Sequence, residues 1–267
     1  MSAINRLAAA APDWIEVGKR GAAKLSFKAN PPTRSGGPGK RSYELVAETR
    51  KGELTVSELA PGKDLPKLCV ERHINPGSTF CLFMNSEVLP KTNEAARNWW
   101  RGLKAFLQHQ QYADKHSNWP IDAQMSHGPA ADIQRRMEDV ADEFGWRPEL
   151  LASIFRRKGW LGGALPRLAK DRKSLVNARS PCPRGCSRKH HPFRKTACQR
   201  DECYVSCRKQ HAPILRAVCP HRKAVEQLVM LEFARREIEA RMIEQLKKEG
   251  HRCCGTMKQC ALRDTTN

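Results

Sequence analysis

The sequence predicts an α+β fold over residues 1–160, followed by a small, partly helical cysteine-rich module. Short apolar-alternating runs broken by Gly, Pro and Ser fill the stretch from about Trp14 to Leu82. Helical periodicity takes over from Glu94 onward. Nine of the eleven cysteines then fall between Cys182 and Cys260. Strands first and helices afterwards is the order of an α+β domain. A chain of 267 residues is long enough for one large domain or two ordinary ones, and it can bury a core without disulfides.

In chain order, Met1 to Val17 holds only a short apolar run around Leu7 to Ala11, without the basic start and long apolar stretch of a secretory signal. Ala23–Phe27, Ser42–Glu48 and Glu53–Leu59 read as strands, and Lys51-Gly52 between the last two predicts a hairpin. These connections are too short for crossover helices, so the pairing is expected to be an antiparallel meander. Glu94 to Tyr112 spaces Trp99, Leu103, Phe106 and Leu107 along one helical face; with Trp100 and Trp119 these aromatics read as core. Pro129 to Phe144 repeats the pattern with Ile133, Met137, Val140 and Ala141, and Pro148 to Lys158 is a third, shorter helix. Residues 161–180, with Gly162-Gly163 and Pro166, read as a basic connector. Residues 181–267 form the cysteine-rich module, with a helix over 223–249 whose Leu228, Leu231, Ile238, Met242 and Leu246 share a face and which Gly250 ends.

The charge is as uneven as the cysteines. Residues 1–150 hold 21 Lys and Arg against 18 Asp and Glu, whereas residues 151–267 hold 27 against 10, and the whole chain carries +20. A basic tail of that kind can attract nucleic acid or acidic proteins. No window approaches the roughly 20 apolar residues that a membrane span needs, so a soluble, cytoplasmic protein is expected. In that setting eleven cysteines point to thiolate or metal chemistry rather than to a disulfide framework.

Two cysteines stand apart from the cluster. Cys69 alternates with Leu68 and Val70 and reads as a structural strand residue. Cys81 ends the run Pro66, His73-Ile74-Asn75, Gly77, Phe80-Cys81-Leu82. That run resembles the ubiquitin-conjugating enzymes, in which a proline-bearing strand leads to His-Pro-Asn, a glycine turn and a hydrophobic-Cys-Leu ending in the nucleophile. The likeness extends over roughly residues 10–145 and includes the order of strands, Trp99-Trp100 and helices. Ile74 stands where the family has proline, and the turn from Asn75 to Cys81 is about two residues shorter.

The resemblance implies a ubiquitin-conjugating-like sheet with flanking helices and an enzyme that carries a ubiquitin-like modifier as a thioester on Cys81. Asn75 would stabilise the oxyanion formed when an amine attacks that thioester, and His73 would brace the loop. It also implies a ubiquitin-activating-like enzyme as partner, beside a deconjugating metalloprotease and target proteins, in bacterial systems linked to defence against phage. His127, in Ser126-His127-Gly128-Pro129, has two readings: a base steering the incoming amine, or simply the entry to a helix.

In the tail, Cys182, Cys186, Cys198, Cys203, Cys207, Cys219, Cys253, Cys254 and Cys260, with His221, fall in close pairs separated by turn-sized gaps, as tetrahedral zinc requires. They suffice for two structural zinc ions; iron–sulfur or redox thiol chemistry is the alternative use of such residues. A different functional class also fits, in which the chain is a zinc-dependent nucleic-acid- or protein-binding protein built on an inert conjugating-like fold. The tail's few aromatics, Phe193, Tyr204 and Phe233, weigh against base stacking.

Overall fold

The computed structural model describes residues 1–33, 36–39, 41–83, 88–120, 123–176 and 219–263. It divides into two compact units, one made of residues 1–123 with 243–267 and the other of residues 124–242. The expected boundary at residue 160 thus falls inside the second unit, and the last cysteines belong to the first.

The first unit opens with a helix that the sequence reading did not contain, α1 (Ala3–Ala9), capped by the Ser2 hydroxyl accepting from the Asn5 N–H. Ile4 and Leu7 drive it, since both are fully buried. Four strands follow, β1 (Ile15–Arg20), β2 (Lys24–Ala29), β3 (Tyr43–Arg50) and β4 (Glu53–Glu58). They pair antiparallel in sequence order, as the meander reading expected. Arg50 pairs with Glu53 across the Lys51-Gly52 hairpin, where both turn residues take positive φ. Alternation places Leu25, Phe27, Leu45, Ala47, Leu54 and Val56 on the buried face.

Against that face packs α2 (Asn93–His116), whose N-cap Thr92 accepts from the Ala95 N–H. Trp99, Trp100, Leu103, Phe106 and Leu107 are all buried on it, as their spacing required. The Trp100 indole donates to the Leu7 carbonyl at 3.0 Å, fastening α1 to α2. Residues 251–263 have no regular structure, yet Met257 sits in the same core, and the Lys258 N–H donates to the Ser117 carbonyl at 2.8 Å.

The second unit contains α3 (Ala130–Asp142), α4 (Arg147–Arg156) and most of α5 (Arg222–Lys248). Its core joins Met137, Trp146, Leu150, Trp160, Val225 and Leu228. The apolar stripe of α5 is interrupted by Glu232 and Arg235, both buried. Glu232 accepts from Arg235 and from Arg236 Nε at 2.6 and 2.7 Å, which repays the desolvation of its carboxylate. Gly250 takes φ +80° just past the helix, and the His251 N–H donates back to the Leu246 carbonyl, closing α5 where glycine predicted. Among the described residues no helix is long and apolar enough to cross a membrane.

Candidate active site

The segment from Cys69 to Cys81 is a loop folded on itself by backbone hydrogen bonds. Cys69 and Ile74 exchange both N–H···O bonds, at 3.1 and 3.0 Å, around a tight turn over Val70–Arg72. Ile74 in turn bridges Phe80. A second turn, Pro76–Ser78, lies between them with Gly77 at φ +80°, and the Asn75 N–H donates to the Thr79 carbonyl at 2.8 Å. The Phe80 N–H donates to Val56 of β4 at 2.8 Å, joining the loop to the sheet. Finally the Cys81 N–H donates to the His73 carbonyl at 2.9 Å.

This ladder explains how Cys81 is presented. Neighbours in an extended segment face opposite ways. Phe80 is buried and stacks on Phe106 with ring centres 4.7 Å apart, so Cys81 is turned away from the core and is half-buried. The ladder also explains Ile74. Its N–H is a donor in the bridge to Cys69, and proline has none to give; its side chain is 1% exposed, part of the core.

His73, Asn75 and Cys81 therefore share one loop. His73 is buried, adopts φ +54°, and packs its ring 5.1 Å from that of Trp119, a position that suits bracing. Asn75 is exposed on the turn and makes no side-chain cap bond to the turn it precedes. Under the loop, the Arg72 guanidinium is 1% exposed. It donates to Gln110 Oε1 at 2.6 Å, to the Gln110 carbonyl at 3.3 Å and to Asp114 at 2.6 Å, all on α2, while Gln110 Nε2 returns a bond to the Arg72 carbonyl at 2.7 Å. Arg72 also reaches the Thr256 hydroxyl at 3.3 Å. Neither the charge nor the periodicity of the sequence singled out Arg72.

Immediately beyond Cys81, Phe83 lies against Gly102 of α2 so closely that a Cβ there would stand 2.3 Å from the ring. Gly102→Ala is expected to push Phe83 out and to destabilise the first unit by about 1–3 kcal/mol, the usual range for overpacking. A denaturation midpoint equal to that of the parent would contradict this packing.

His127 belongs to the second unit. Its N–H donates to Glu239 of α5 at 3.1 Å, its carbonyl accepts from Ala130 at the start of α3, and burial holds its imidazole below the ordinary histidine range. Next to it the Ser126 hydroxyl accepts from Arg235 at 2.9 Å and the Ser126 N–H donates to Gln134. These contacts are those of a helix entry.

Of the expected metal ligands, Cys182, Cys186, Cys198, Cys203 and Cys207 lie outside the described residues. Cys219 is half-buried beside the second core. His221 packs against Phe144 and Trp146, and its buried Nδ1 has no hydrogen-bond partner among the described residues. Cys253, Cys254 and Cys260 sit in the first unit, where Cys254 lies 2.9 Å from the sulfur of Cys69. Sequence reading missed that meeting, because 185 residues separate the two. The contact with Cys69 pulls Cys254 down to about 5, helped by Thr256 and Arg72 against the effect of burial. The same contact, with burial, pushes Cys69 up. Burial pushes Cys260 up to about 12, and its contact with Cys253 adds to this. Among the described residues no group of three or more metal-ligating side chains stands at coordinating spacing.

Residues 15–121 match the model of the family described as the prokaryotic E2 domain. The match supports a bacterial E2-like protein, and the four-stranded antiparallel sheet with flanking helices is consistent with that α+β fold. It suggests a conjugating transferase that works with a ubiquitin-like modifier and its activating enzyme. Comparison with curated proteins and with solved structures gave no match.

Proposed function

We propose that the chain is a ubiquitin-like-modifier conjugating enzyme that carries the modifier on Cys81 and passes it to an amine. The observation that supports this best is the presentation of Cys81, turned out of the core at the end of the loop while Phe80 anchors it from within. In the first step the Cys81 thiolate attacks the carbonyl of the modifier's C-terminal thioester on the activating enzyme. The activating enzyme's thiolate leaves, and bond energies nearly balance, so no strongly activated thiol is required. In the second step an acceptor amine attacks the new thioester, the carbonyl oxygen becomes an oxyanion, and collapse expels the Cys81 thiolate while the amine's proton passes to solvent.

Asn75 is the neutral donor suited to that oxyanion, standing on the turn that Cys81 closes. Asn75→Ala is expected to slow amine transfer about a hundredfold, the cost of losing one such donor, while thioester loading persists. Single-turnover discharge to free lysine reads the two steps apart, and equal discharge rates would remove Asn75 from the mechanism. His73 is assigned to bracing the loop. His127 is assigned to the entry of α3.

The tail cysteines are assigned to zinc. Cys219 and His221, with its partnerless Nδ1, supply two ligands beside Cys182, Cys186, Cys198, Cys203 and Cys207. The module would serve to dock targets or partners, nucleic acid among them, in a cytoplasmic system with a deconjugating metalloprotease and a role in phage defence.

The test is incubation of the full chain with an activating enzyme, modifier and ATP, followed by gels with and without reductant. A thiol-sensitive adduct is expected. No adduct, with the activating enzyme shown to be charged, would leave a zinc-dependent binding protein as the reading.

A further inference from the structure

We propose that Cys69 and Cys254 are a reversible disulfide site, a covalent clasp between the C-terminal segment and the loop that carries Cys81. Such a clasp lies outside the conjugating reaction. It takes Cys254 out of the zinc set named above and leaves the role of Cys81 unchanged.

Each sulfur arrives on an anchored backbone. Cys69 is 1% exposed; it exchanges both backbone bonds with Ile74, and its carbonyl also accepts from the Arg72 N–H. On the other side Met257 is buried in the same core cluster as Cys69, and the Lys258 N–H donates to the Ser117 carbonyl at 2.8 Å. Thr256, bonded by the buried Arg72 guanidinium at 3.3 Å, places its hydroxyl 3.1 Å from the Cys254 sulfur. These anchors, all inside the first unit, bring the sulfurs of Cys69 and Cys254 to 2.9 Å across 185 residues of chain.

A disulfide sets its sulfurs about 2.05 Å apart, so closure is a movement of about 0.9 Å from 2.9 Å. A small rotation of the half-buried Cys254 about χ1 supplies it. Two thiols held in contact react far faster than either would with a thiol arriving from solution. Among the described residues no third metal-ligating side chain stands with these two at coordinating spacing, which makes them a pair rather than part of a tetrahedral set.

The two positions differ in access, and that orders the chemistry. Cys254 is half-buried and Cys69 is buried, so a peroxide oxidant meets Cys254 first. The Cys254 thiolate attacks one peroxide oxygen; the O–O bond breaks, hydroxide leaves and Cys254 becomes a sulfenic acid. The Cys69 sulfur then attacks the Cys254 sulfur, the S–O bond breaks, and water leaves with the proton of the Cys69 thiol. In all, two thiols lose two electrons and two protons, and hydrogen peroxide becomes two waters. A dithiol reductant opens the bond by attacking the accessible Cys254 sulfur and expelling the Cys69 thiolate. Disulfides in reducing compartments are usually transient ones of this kind. Through Ile74, which bridges both Cys69 and Phe80, the bond would tie the C-terminal segment into the ladder that ends at Cys81.

The test uses full-length protein, reduced, freed of reductant and treated with stoichiometric hydrogen peroxide. It is then alkylated, digested with trypsin and read by mass spectrometry. A dithiothreitol-sensitive link between the peptides of Cys69 and Cys254 is expected. Cys253 shares the tryptic peptide of Cys254, so variants assign the sulfur: the link is expected to persist in Cys253→Ser and to vanish in Cys254→Ser. The oxidised parent should also unfold at higher urea than the reduced parent, because a cross-link constrains the unfolded chain, with no such shift in Cys254→Ser. Cys69 and Cys254 both alkylated in oxidised, folded parent would overturn the pairing. So would a link that survives Cys254→Ser, or zinc held by the parent in place of the link and lost in Cys254→Ser. No modifier transfer is read, so this result and that of the conjugation test stand or fall separately.

Discussion

Cys81→Ser is expected to accumulate a modifier adduct that survives thiol reductant, and Cys81→Ala to form none. A serine oxygen forms an oxyester in place of the thioester; its poorer leaving group slows attack by the acceptor amine, so the carrier loads and then stalls. Neither substitution should unfold the protein. The half-buried Cys81 side chain carries little of the packing, which falls to Phe80 against Phe106. The Cys81 backbone bond to the His73 carbonyl does not involve the sulfur. Denaturation midpoints should stay within about 1 kcal/mol of the parent, as for substitutions away from the core. A thiol-sensitive adduct on the Ala variant would place the nucleophile elsewhere.

Arg72→Ala is expected to cost the first unit about 3 kcal/mol. The guanidinium is almost fully enclosed and makes hydrogen bonds to Gln110, Asp114 and Thr256. Removing it strands the Gln110 carboxamide oxygen, and a buried polar group without a partner costs about 1–3 kcal/mol. Losing one partner of a buried ion pair costs more, although Asp114 keeps a bond from Arg41 and is 32% exposed, which reduces its share. Because Arg72 directly precedes His73, modifier loading on Cys81 should fall along with stability. Urea denaturation with activity measured in parallel checks both; a midpoint unchanged to within about 0.5 kcal/mol would show that Gln110 and Asp114 find other partners.

Much of the fold was legible in the chain because it rests on local periodicity. Alternation in Lys24–Ala29, Tyr43–Arg50 and Glu53–Glu58 marks the strands, Lys51-Gly52 marks the hairpin, and the spacing of Trp99, Leu103 and Phe106 marks α2. α1 escaped because seven residues hold too few turns for a period to show, and its stability comes from packing Ile4 and Leu7. The interruption of α5 by Glu232 and Arg235 escaped because a charged residue reads as solvent-facing until its buried partner is known.

The order Pro66, His73, Asn75, Gly77, Cys81 was by itself enough to pick out the loop and to propose Cys81 as its nucleophile, since those residues are close in sequence. The tertiary structure decided what no local pattern encodes. It showed that the Ile74 N–H donates to the Cys69 carbonyl, a bond that proline could not make, and that Arg72 bolts the loop to α2. It brought Cys254 to Cys69, across 185 residues. Such contacts form only when the chain closes on itself, and the sequence carries no trace of them beyond the residue types that make them possible.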